Sequence, residues 1–125
     1  MDVNTSLVVF QDTKIRRIWH NDEWYFVVND VVSVLTDSIN STDYLKKLRK
    51  RDESLNEGWG QIVTLLSIKT LGGPQKLNCV NTKNAFRLIQ SIPSKKAEPF
   101  KQWLAQLGKE RIEEIENPEL ALKPG

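Results

Sequence analysis

The sequence predicts an α+β fold: a small antiparallel sheet, made of a three-strand meander plus a hairpin, packed against about four helices. Three observations carry this. Short runs rich in β-branched and aromatic residues cluster in two places, residues 7–29 and 62–81, each punctuated by turn formers. Stripes of apolar residues at helical spacing follow each cluster. The chain has 125 residues, 39% of them hydrophobic and 27% charged, which suits one core with no room for a second. Strands grouped with strands argue against a parallel βαβ sheet.

Residues 7–11 (LVVFQ), 15–20 (IRRIWH) and 24–29 (WYFVVN) form the predicted meander, with turns at Asp12-Thr13 and Asn21-Asp22. Asn29 or Asp30 is then placed to cap a helix running through Asp37, since an Asx side chain accepts orphan N–H bonds and Val31, Val34 and Leu35 share one face. Ser41-Thr42-Asp43 opens a second helix. At 100° per residue Tyr44, Leu45 and Leu48 fall on one side, and Lys46, Lys47 and Lys50 on the other.

Residues 62–71 and 76–81 read as a hairpin about Gly72-Gly73-Pro74, where glycine supplies the positive φ of the turn. Thr82 is the expected N-cap of a helix carrying Ala85, Phe86, Leu88, Ile89 and Ile92 and ending before Pro93. Ser94 starts the last helix, whose stripe is Ala97, Phe100, Trp103, Leu104, Leu107, Ile112 and Ile115. Pro99 is confined to its first turns and Gly108 is its weakest interior point. The domain is expected to span residues 1–117, with 118–125 a linker toward a further region.

Charge is unevenly spread. Residues 1–109 hold 16 Lys and Arg against 11 Asp and Glu, and residues 110–119 hold one against five. A basic body suits a polyanion, and the acidic segment suits a solvated helix end or a partner contact. The densest basic feature is the run Lys46, Lys47, Arg49, Lys50 and Arg51, joined at a distance by Lys69 and Lys76. Cations grouped on one face gain by releasing counterions from a phosphate backbone. The same lysines also suit a helix face that is merely kept wet, and charge alone leaves both readings standing.

Catalytic readings find little to build on. The single His20 and single Cys79 show no spacing that would join them as base and nucleophile, and alternation assigns Cys79 to the core beside Leu77. Asp12-Thr13-Lys14 has the order found in metal-dependent nucleases, yet three residues at a turn match by chance often, and Asp12 reads as a turn former. Gly72-Gly73-Pro74 lacks the Lys-Ser or Lys-Thr and the helix start of a phosphate loop. Trp59, between Gly58 and Gly60 in a predicted polar loop, is placed either to stack on a base or to cover the core. No catalytic residue, metal ligand set or cofactor is expected. One cysteine cannot form an internal disulfide, and no apolar run approaches a membrane span, so a cytoplasmic protein is expected.

Three stretches, in this order, resemble the N-terminal domain of the BRO family, found in baculovirus BRO proteins, phage antirepressors and bacterial DNA-damage-inducible relatives. The first is Ile15–Trp19 through Trp24–Val32. The second is Thr70–Lys76 with its glycine pair, followed by Val80-Asn81 and Phe86–Ile89. The third is Ser94–Leu104. The resemblance covers about residues 7–116. At Asn84-Ala85-Phe86 this chain departs from the glycine, leucine and tyrosine of many members, so it lacks that tyrosine hydroxyl.

The resemblance implies a DNA-binding regulatory domain without catalytic residues. Lys46, Lys47, Lys50 and Arg51 would sit on phosphates, Arg49 on the flank, and Thr42, Tyr44 and Asn40 near base edges or sugars, with Lys69 and Lys76 as further basic contacts. The alternative it implies is an antirepressor module that binds a repressor protein through an apolar patch and the acidic segment Glu110–Glu119. Single- or double-stranded DNA stays open as the partner. So does a homodimer, since two half-sites give a small regulator useful specificity.

Overall fold

The computed structural model describes residues 5–116, with side chains described for residues 6–107. Five strands and five helices follow in the order β1 (Thr5–Phe10), β2 (Thr13–His20), β3 (Glu23–Val27), α1 (Val28–Thr36), α2 (Ser41–Arg51), α3 (Glu53–Ile62), β4 (Thr64–Thr70), β5 (Gly73–Asn81), α4 (Thr82–Gln90) and α5 (Ala97–Glu116). The strands form one sheet in the order β1-β2-β3-β5-β4, every pairing antiparallel. The α+β expectation holds, with one helix more than foreseen. The predicted linker at 118–125 lies outside the described residues, and so do the side chains of Ile112, Ile115 and the acidic segment.

Local chemistry explains the meander. Gln11 and Asp12 take φ of 46° and 66°, and Asn21 and Asp22 take 51° and 62°. These are the left-handed pairs that two-residue hairpin loops require, and Asx residues tolerate them best. The β4–β5 turn uses Gly73 at φ 102°.

Two apolar clusters flank the sheet. The large one joins Phe10, Ile15, Phe26 and Val80 to α1, α3, α4 and α5, and takes in Leu45 and Leu48 of α2. Phe10 stands edge-on to Phe100 at 5.0 Å and lies 5.4 Å from Trp103, which fastens β1 to α5. The small one, on the other face, comprises Ile18, Tyr25, Val27, Ile68 and Cys79, with Leu66 and Leu77 against it. Cys79 is fully buried there, as alternation with Leu77 predicts, and burial pushes its thiol up to about 11.

The helices form two tiers. α1 packs on β2, β3 and β5, and α4 packs on β3 and β5, whereas α2 rests on α1 and α3. α2 therefore stands one layer farther from the sheet, with an outward face.

Four local expectations are corrected. α1 begins at Val28, after an extended Val27, with no side-chain cap. Neither Asn29 nor Asp30 caps it, because both side chains are taken by tertiary partners described below. Asn81 caps α4 by accepting from the Asn84 N–H at 2.9 Å, so Thr82 is its first residue and not its cap. α5 starts at Ala97, while Ser94 donates to the Leu35 carbonyl and accepts from the Lys96 N–H. Residues 53–62 form α3, so Trp59 lies on a helix and not in a polar loop, and Ile62 belongs to α3 and not to the hairpin.

Candidate nucleic-acid interface

α2 is capped and braced at both ends. Asn40 accepts from the Asp43 N–H at 3.0 Å, and Asp43 puts a negative charge in the first turn, where the helix dipole favours it. Asn29, one of the two residues expected to cap α1, instead donates to the hydroxyls of Ser41 (2.8 Å) and Thr42 (3.0 Å) and ties α1 to the start of α2. At the far end Asp52 closes α2 and caps α3, accepting from the Leu55 N–H at 2.9 Å. That bond, helped by Ser91 and the charge of Arg87, holds the Asp52 carboxyl below its usual range. One residue thus turns the chain from α2 into α3.

Leu45 and Leu48 are the buried residues of α2. Taking their midpoint as the inward direction, Lys46, Lys50 and Lys47 span an arc of about 100° centred opposite to it, the most outward arc the helix has. All three are exposed, as is Arg51 one step round. The three lysines line an open depression of about 380 Å³ together with Asp43, Arg49 and Asn56. Asp43 sits within the stripe and pairs with Lys47 at 3.1 Å, both groups well exposed, so the pair is worth little in stability but removes part of the positive field.

Arg49, at the side of this depression nearer α3, is tied inward. Its guanidinium lies 4.7 Å from the centre of the buried Trp59 ring and its Nε donates to Asn56 at 3.0 Å, which makes it a brace between α2 and α3. Trp59 covers the core, the second of its two sequence readings. Tyr44 is half-buried against the large cluster.

Lys69 and Lys76 are exposed on the β4–β5 hairpin. Lys69 opposes Pro74 and Ser67 opposes Lys76, so the two lysines share one face, on the opposite side from Ile68 and Cys79. Lys69 also lines a second depression with Arg16, Thr70, Leu71, Gly72 and Gln75. The ten sequence-predicted positions therefore divide: Lys46, Lys47, Lys50 and Arg51 form one outward surface, Arg49, Asn40, Thr42 and Tyr44 support the helix that displays it, and the two hairpin lysines form a separate patch.

A pairing that sequence reasoning missed anchors this arrangement. Asp30 receives the Arg16 N–H (2.9 Å), Nε (2.8 Å) and Nη2 (2.8 Å), a two-pronged ion pair that locks β2 to the first turn of α1. The pairing raises the Arg16 pKa further. A third depression, between α3 and α4, is lined by Gln61, Asn81, Lys83, Asn84, Phe86 and Arg87 among others. Among the described residues no three His, Cys, Asp or Glu side chains gather as a metal site, and no helix is long and apolar enough to cross a membrane.

The β-meander running into α1, the glycine turn and the order of elements are all present, and a scan against protein families matches the BRO family, N-terminal domain, over residues 14–110. The chain belongs to this family. Neither the curated proteins nor the solved structures contain a significant match. The match takes in α2 and the hairpin, so both basic patches of this BRO-family domain lie inside the family's own segment, whereas the whole of β1 precedes it.

Proposed function

We propose that this BRO N-terminal domain is a DNA-binding regulatory module of the cytoplasm, without catalysis of its own, that seats α2 on the phosphate backbone. The observation that carries the reading is the outward stripe of Lys46, Lys47 and Lys50, continued by Arg51, on a helix held one tier away from the sheet. A lysine face that merely kept the helix wet would not need caps at both ends, the Asn29 tie and the Arg49 brace to hold its orientation. Phosphate contacts position a protein without reading sequence, so specificity would come from groups beside the stripe.

The test is binding of labelled duplex and labelled single strand at 50 and 200 mM salt, by fluorescence anisotropy, for the chain and for a K46E/K47E/K50E variant. Four neutralised phosphates predict about a 10²-fold loss over this fourfold rise in salt, and six, with Lys69 and Lys76 added, predict about 10³-fold. The slope therefore reports whether the hairpin joins α2. The variant should lose binding while keeping its circular dichroism and melting temperature. Salt-insensitive binding, or none to either nucleic acid at low salt, sinks the reading and leaves docking on a repressor protein in its place.

A further inference from the structure

We propose that β1 is a self-association edge, through which two copies of this chain pair antiparallel about a two-fold axis to make one continuous sheet. Among the described residues β1 pairs with β2 alone, so one side of the strand presents a row of unmatched backbone N–H and C=O groups. Such edges invite another strand, and proteins that must stay apart blunt them with charges, proline or a bulge. β1 has none of these. Its six residues, Thr-Ser-Leu-Val-Val-Phe, carry no charge in a chain that is 27% charged, and their register with β2 runs without a break from Thr5 to Phe10. Leu7 and Val9 lie 55% and 54% exposed on the helix-free face.

The charge pattern selects a second copy as occupant. A copy carries the same net charge of +2, so contact needs a strand that brings no like charges together, and β1 supplies it. The nearest cations, Lys14 opposite Val9, Arg16 opposite Leu7 and Arg17 opposite Ser6, to whose hydroxyl it donates at 3.0 Å, sit on β2. In the paired sheet β2 and its copy are three strand spacings apart, about 14 Å, beyond the roughly 8 Å screening length at physiological salt. With Val8 on the axis, Leu7 of one copy lies opposite Val9 of the other, and both apolar pairs fall on one face. The other edge strand, β4, carries Lys69, and joining β1 to β4 would be head-to-tail and open-ended, whereas β1 on β1 closes at two. The pairing does not rest on the DNA reading. Where both hold, it relates two α2 helices by a two-fold.

Sedimentation equilibrium of the full chain from micromolar to millimolar concentration tests this, with L7K/V9K as the disrupting variant and L65K, on the 57%-exposed Leu65 of β4, as the control. The chain should show a monomer–dimer equilibrium with no larger species. L7K/V9K should weaken it about tenfold or more through like charges brought face to face, and L65K should leave it unchanged. A monomer throughout, masses beyond two, a dimer indifferent to L7K/V9K, or one equally sensitive to L65K overturns the proposal. Hydrogen exchange on the unmodified chain is independent of how the variants fold: β1 amides should gain protection with concentration and β4 amides should not, and equal or no gain overturns it too.

Discussion

α1 and α2 are consecutive helices of nine and eleven residues joined by four, and they are held by opposite means. α1 buries Val28, Val31, Val32, Val34 and Leu35, has no side-chain cap, and lies against three strands. α2 buries Leu45 and Leu48 only, is capped by Asn40, shares Asp52 with α3, and lies on other helices. Burial holds the first in place despite its β-branched content, which by itself disfavours helix. Caps and polar ties hold the second, and that leaves its outward arc free for cations. The comparison teaches that the surface with something to display is the one the core uses least.

The contrast can be broken most forcefully in α1. Val31→Ala, at a position with no exposure, should cost about 2 kcal/mol through lost burial and a residual cavity, lowering the thermal midpoint by several degrees while leaving DNA affinity of the folded fraction unchanged. Equal stability, measured by urea titration, would mean that burial is not what holds α1. Next in size is Asn40→Ala, which should cost about 1 kcal/mol by removing the cap of a helix with little burial to fall back on. A loss well below that figure would mean the Asn29 tie alone fixes α2. The smallest effect sharpens the electrostatic side. Asp43→Asn should tighten DNA binding about two- to fivefold at low salt, because it unmasks Lys47 within the stripe, and the gain should fade as salt rises. Unchanged affinity at low salt would place the bound phosphates away from Lys47.

Most of the sheet was legible because alternation and turn chemistry are local: Asn21-Asp22 and Gly73 each specify their loop within a few residues. α3 was not. Its stripe of Leu55, Trp59 and Ile62 has helical spacing and Asp52 stands at its start, but Gly58 and Gly60 lower helix propensity and the short polar sequence reads as loop. Burial of Trp59 under Arg49 outweighs that propensity, a contact set by the packing of α2 on α3. The sequence points to Asp30 as a cap because its nearest backbone N–H groups lie in α1. Folding brings Arg16 against it instead, with three donors for one carboxylate.

By itself the sequence determined the fold class, the antiparallel hairpins, the burial of Cys79 and the clustering of lysines on one side of α2, all properties that follow from periodicity over neighbouring residues. The tertiary structure alone decided that α2 occupies the outer tier, that Arg49 braces and does not display, that the hairpin lysines form a separate patch, and that β1 is left at an open edge. Each of these depends on which distant segment packs against which. Side-chain periodicity gives a direction relative to the element's own axis, and only the packing of elements turns that direction into inside or outside.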